Sequence, residues 1–163
     1  MRGYGRIVGM VKRGEASWAS LTAAEQEEME QAVAMLTEAA AQGHSGAQND
    51  LGSSYELGLG VTRDVDRAME LYSLAAEQGH AKANNNLGTL LRDKGDVGGA
   101  IEAFHAAIEA DPGCADAHSN FGALLYNVRN DVDGAEKAYR TAIEADPGYA
   151  RAHYALGVLL ETK

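Results

Sequence analysis

The chain has 163 residues, enough for one ordinary domain, and its formal charge of -10 comes from 24 acids against 14 bases. Such a surface repels phosphate backbones, whose binding needs cationic side chains, so nucleic acid is excluded as an expected partner, and no apolar run reaches the length that spans a bilayer. The single cysteine, Cys114, excludes an internal disulfide and fits a reducing, cytoplasmic setting.

Residues 1–21 read as a basic, glycine-rich segment. Arg2, Arg6, Lys12 and Arg13 all precede the first acid, Glu15. Its apolar residues form no signal-peptide core, and its composition suits a flexible tail or a truncated upstream repeat. Thr22 followed by Glu25 makes a capping box that starts a helix. The string EQAVAMLTEAAAQGH at 30–44 overlays DRAMELYSLAAEQGH at 66–80, so it reads as the second helix of an early unit whose first helix is not recognisable. Between Gly52 and Ala68 the turn joining two helices is long, and Gly58 and Gly60 supply the tight or left-handed geometry it needs.

Further on, Leu87, Gly88 and Leu91 recur at helical spacing, then Ala100, Phe104 and Ala107; Phe121, Gly122, Leu125, Ala135, Tyr139 and Ala142 answer them one unit later. Asp96 and Asp131 are placed as N-caps, and the Asp-Pro-Gly strings at 111–113 and 146–148 stop the preceding helices. The last segment, ARAHYALGVLLETK, supplies one helix, on which Leu156, Leu159 and Leu160 lack the second helix that would cover them: the helix packs flush on the preceding unit with little exposed, or offers a docking edge to another chain, or the chain is a fragment.

The glycines at 52, 88, 122 and 157 are spaced by 36, 34 and 35 residues within similar strings. A period in the mid-thirties predicts an all-α, right-handed solenoid of antiparallel helix pairs. Residues 81–163, with Leu-Gly on the first helix, Ala and an aromatic on the second, and a closing Pro112 or Pro147, resemble tetratricopeptide repeats, two full and one terminal half. The aromatic expected near the start of the first helix is replaced by Asn84, His118 and His153. Residues 22–80 resemble Sel-one-like repeats, one partial and one full, on the string GAQNDLGSSYELGLGVTRDVDRAMELYSLAAEQGH.

The resemblance implies a non-catalytic module that binds a peptide segment or helix of a partner in the groove lined by the first helices. Asn86 and Asn120 stand where an asparagine can grip a peptide backbone from both sides of its amide, with Asn85, Thr89, Arg92, Tyr126 and Asn127 beside them setting side-chain preference. Lys82, Asn120 and Arg151 fall on positions of a partial carboxylate clamp. The acidic balance favours a basic or neutral protein or peptide. Two alternatives stand beside this reading: a regulatory arm of a larger enzyme such as a glycosyltransferase, and a solenoid that self-assembles into homo-oligomers through its terminal half-repeat. No catalytic or cofactor site is expected. Cys114 and His118, one helical turn apart, lack the further ligands of a structural zinc site.

Overall fold

Each helix begins and ends where local chemistry requires it. In the computed structural model, which describes residues 2–162, the elements are α1 (Arg2–Lys12), α2 (Ala23–Ala41), α3 (Ser45–Leu57), α4 (Val65–Ala76), α5 (Ala81–Asp93), α6 (Val97–Ala110), α7 (Ala115–Asn127), α8 (Val132–Ala145) and α9 (Ala150–Glu161). There is no strand among the described residues. Thr22 and Glu25 form the reciprocal capping box at α2, and Asp96 and Asp131 accept from Gly99 N and Gly134 N at 2.9 Å. The histidines that close the two QGH strings are caps as well: His44 Nδ1 accepts from Ala47 N at 3.2 Å and His80 Nδ1 from Ala83 N at 3.3 Å. Gly58 and Gly60 both take left-handed φ, 68° and 72°, in the long turn that follows α3.

Chain contacts divide the protein into two units, Met1–Gln78 and Gly79–Lys163. The first contains α1–α4. Its core gathers Ile7, Met29, Val33, Leu36, Leu51, Leu59 and Leu71, with Tyr4 closing one side. Residues 2–12 are therefore a packed helix rather than a flexible tail. Tyr4, Ile7, Val8 and Val11 follow helical spacing and turn one face inward. The Tyr4 hydroxyl donates to the Asp50 carbonyl and shares a hydrogen bond with Ser54 Oγ at 3.1 Å. α1 touches α2 and α3, the same relation that α5 has to α6 and α7, so it fills the place of the first helix missing from the early unit.

The second unit contains α5–α9, arranged as helix pairs α5/α6 and α7/α8 with α9 packed against α7 and α8. Ala100, Phe104, Ala107, Ala135, Tyr139 and Ala142 are all buried. The recurring glycines let these aromatics in. A Cβ added at Gly52 would stand 2.8 Å from the Tyr72 ring, at Gly88 2.9 Å from Phe104, and at Gly122 2.8 Å from Tyr139. At Gly157 it would meet nothing within 4 Å.

The leucines of α9 divide three ways, between flush packing and a bare edge. Leu159 is 1% exposed and packs with Leu125, Ala135 and Tyr139, and Leu156 is half-buried in the same cluster. Leu160 is 49% exposed. Leu159 lies seven residues from buried Ala152, two helical turns along one face, so it points at α7 and α8.

Candidate functional site

The first helices of the second unit, α5, α7 and α9, lie side by side. A row of polar side chains crosses them. Arg151 Nη2 on α9 donates to Asn120 Oδ1 on α7 at 2.8 Å, and Asn120 Nδ2 donates to Asn85 Oδ1 on α5 at 2.9 Å. Asn85 and Asn120 are 9% and 7% exposed. The bond runs from Asn120 to Asn85, the residue before its repeat equivalent Asn86. Both ends of the Asn120 amide are engaged in tying helices together. Buried amides at this depth need such partners, because each one left unpaired costs about 1–3 kcal/mol.

The other proposed contact residues surround this row. Asn86, Thr89, Arg92 and Tyr126 are half-buried, and Asn127 and Lys82 are exposed. Thr89 Oγ1 donates to the Asn85 carbonyl at 3.1 Å and Asn127 Nδ2 to the Ala123 carbonyl at 2.9 Å, both within their own helices. Arg92 reaches Asp93 Oδ1 through Nε at 2.9 Å and Nη2 at 2.7 Å. The Tyr126 hydroxyl stands 3.3 Å from Thr162 Oγ1. Asn86, Thr89 and Arg92 are three residues apart in turn, which sets them along one side of α5.

Of the three clamp positions, the structure joins Asn120 to Arg151, while Lys82 stands exposed on α5. Asp116, in the first turn of α7, accepts a hydrogen bond from the Tyr149 hydroxyl, which holds the approach to α9 against α7. Burial, and then this carboxylate, push the Tyr149 hydroxyl well above its ordinary titration range.

The histidines that replace the expected aromatic are also placed by hydrogen bonds. His118 Nε2 lies 3.0 Å from the Pro112 carbonyl and His153 Nε2 2.9 Å from the Pro147 carbonyl. Each donates back to the turn before its helix, which gives the imidazole the Nε2–H tautomer. Cys114 is half-buried, and burial raises its thiol pKa, so it is a poor thiolate. No group of three or more His, Cys, Asp or Glu side chains among the described residues could hold a metal ion, and no helix among them is long and apolar enough to cross a membrane.

In the first unit, sequence reasoning missed a cavity of about 310 Å³ between α2 and α3, lined by Met35, Leu36, Ala39, His44, Ala47 and Asp50. Met35 is 66% exposed at its mouth. Its position in a run of alanines on α2 gave no periodic signal.

Residues 23–44 and 45–80 match the Sel1 repeat, and residues 91–159 match a tetratricopeptide repeat. Among solved structures, a Sel1 repeat protein from Oxalobacter formigenes is similar at 32% identity and a TM-score of 0.63, over 78% of this chain and 54% of that one. A protective antigen of uropathogenic Escherichia coli, c5321, described as displaying an SLR fold, aligns at 23% identity and a TM-score of 0.71 over 98% of this chain and 33% of that one. MamA aligns at 21% identity and 0.61, over 94% of this chain and 82% of its own. This chain thus spans about half the length of the first relative and a third of the second. A search of curated proteins finds no match.

Proposed function

This chain belongs to the tetratricopeptide repeat superfamily, with Sel1 repeats in its N-terminal half, and on that premise we propose that its second unit binds a peptide segment or helix of a partner protein along the side-by-side helices α5, α7 and α9, without catalysis. The observation that carries this reading is the Arg151–Asn120–Asn85 row. It fixes the spacing of the three helices in advance, so a ligand finds an ordered surface and loses less entropy on binding. Asn86, Thr89, Arg92, Tyr126 and Asn127 flank the row at partly or fully exposed positions and are the groups that meet the ligand.

The partner is basic or neutral, since 24 acids against 14 bases draw cationic segments and repel anionic ones. A carboxylate clamp is the weaker version of this site. Asn120 spends one of its two amide hydrogens on Asn85 and is only 7% exposed, which leaves a carboxylate one hydrogen on a nearly covered side chain. The lone Cys114 supports a reducing, cytoplasmic setting.

The test is affinity capture from lysate with mass spectrometry, comparing the wild type with an Asn86→Ala, Arg92→Ala, Tyr126→Ala variant. Asn120 is left intact because removing it would loosen the helices. Partners lost with the variant support the groove. Partners captured equally by a folded variant refute it.

A further inference from the structure

A cleft of about 630 Å³ opens in the first unit where the turn before α2, α2 itself and the α3–α4 turn meet, lined by Trp18, Glu30, Leu57, Val61, Thr62 and Arg63. The fold fixes its walls. Leu59 in the α3–α4 turn is fully buried, and a Cβ added at Gly60 would stand 3.1 Å from both the Met29 carbonyl and Val33, so this turn is seated directly on α2. The cleft therefore lies on a seam inside the unit and owes nothing to where the sequence begins or ends.

Two charged side chains face it, and the structure accounts for one of them. Arg63 Nε donates to the Glu56 carbonyl at 2.9 Å, in the last turn of α3, where the free carbonyls carry partial negative charge, so its guanidinium helps to close that helix. Glu30 has no such role. Its carboxylate has no hydrogen-bond or ion-pair partner among the described residues, and α2 contains no lysine or arginine that could supply one. Trp18, the one tryptophan of the chain, packs partly against the first core and gives the rest of its surface to the cleft.

We propose that this cleft takes an arginine side chain from a basic segment of a partner protein, with the guanidinium stacked on the Trp18 indole and paired to the Glu30 carboxylate. A guanidinium is planar, lies flat on an aromatic face and forks onto a carboxylate, and its methylene stem suits Leu57 and Val61. An ammonium lacks both the plane and the fork. An anion would be repelled by Glu30, and an uncharged apolar group would cover that carboxylate without pairing it. The site shares with the proposed function only its preference for a basic partner; it stands in the first unit and needs nothing from α5, α7 and α9.

The test is titration of the full chain at low salt with the blocked tripeptide acetyl-Gly-Arg-Gly-amide, beside the same peptide carrying lysine or citrulline, the neutral isostere of arginine. Emission from the single tryptophan reports on this cleft directly, and the backbone amide signals of Val61 and Thr62 locate the contact by NMR. The arginine peptide should change all three signals with a dissociation constant on the order of millimolar, as one cation–π contact and one exposed ion pair allow. Lysine or citrulline in the peptide, and Glu30→Gln in the protein, should each weaken binding by about threefold or more. Glu30 is exposed, so the variant keeps the fold, which circular dichroism melting checks. Signals at Trp18 and Val61 that do not respond, a citrulline or lysine peptide that binds as tightly, or a folded Glu30→Gln chain that binds like the wild type overturns the proposal. Shifts confined to α5, α7 and α9 would keep the groove in the second unit and overturn this site.

Discussion

Alanine at the equivalent glycines should change stability in opposite directions. In a helix interior alanine is favoured over glycine by about 1 kcal/mol, because glycine gives up more backbone freedom on folding. At Gly88 the new methyl would stand 2.9 Å from two carbons of the Phe104 ring, which is fully buried and has no free space to turn into. Forcing an extra carbon into a filled core costs about 1–3 kcal/mol. Gly88→Ala should therefore lose about 0–2 kcal/mol net, and Gly122→Ala, facing Tyr139 at 2.8 Å, should behave alike. At Gly157 there is no collision, so Gly157→Ala should gain about 0.5–1 kcal/mol. Urea unfolding followed by circular dichroism at low micromolar protein measures all three, and comparable m-values would show that the unfolding reaction is unchanged. A chain of this length shifts its Tm by about 2–4 °C per kcal/mol, enough to resolve the signs thermally as well. If Gly88→Ala and Gly122→Ala stabilise the protein as much as Gly157→Ala, the ring-on-glycine account of these helix pairs is wrong.

Three other perturbations address different parts of the fold. Asn120→Ala should cost about 1–3 kcal/mol by stranding the buried Asn85 amide oxygen, and the Asn85→Ala, Asn120→Ala double variant should cost less than the two single losses together; additive losses would show that the pair is not coupled. Ile7→Ala should destabilise the first unit by about 2–5 kcal/mol because Ile7 is fully buried; no measurable loss would restore the flexible-tail reading of residues 1–21. The Thr22 backbone N–H, and then Arg6, hold the Glu25 carboxyl down to about 2 from an ordinary 4.5. Since the folded value is the lower one, its contribution is complete above about pH 4.5 and is lost as pH falls through about 2. An NMR titration of Glu25 should show this depressed midpoint, rising in Arg6→Ala; a midpoint that Arg6→Ala leaves unchanged would break the Arg6–Glu25 link between α1 and α2, 2.9 Å in the structure.

Local chemistry made much of the fold readable from sequence. Capping residues such as Thr22, Asp96 and Asp131 act within three residues of themselves, and the Asp-Pro-Gly stops act within one turn, so their meaning survives without knowledge of the whole. The small-residue and aromatic positions were readable because they repeat. α1 was obscured because glycines at 3, 5 and 9 and four early bases gave the segment the composition of a tail, although Tyr4, Ile7, Val8 and Val11 carried helical spacing. The first glycine leaves room for the Glu28 carboxylate, whose Oε1 would stand 1.9 Å from a Cβ at Gly3. The Asn120–Asn85 bond was hidden for another reason. Repeat alignment pairs Asn86 with Asn120, but neighbouring helices contact one another with a stagger, and the partner of Asn120 is Asn85. Stagger between helices is a property of packing and leaves no mark in the period.

That stagger changes how the proposed groove would work. An asparagine free at both ends of its amide would gain two hydrogen bonds from a peptide backbone, whereas Asn120 already has both ends satisfied by Asn85 and Arg151. What remains is one amide hydrogen and one lone pair on a side chain only 7% exposed, so a ligand reaches them poorly. Selectivity and affinity must then come from the groups around the row: the half-buried Asn86, Arg92 and Tyr126, and the exposed Asn127. Contacts at this depth remain partly hydrated, and the attraction of an acidic chain for a basic segment is screened over about 8–10 Å at ordinary salt. The binding this surface supports is accordingly modest, sensitive to ionic strength and set by its rim, while the buried row serves to hold the three helices at the spacing a ligand meets.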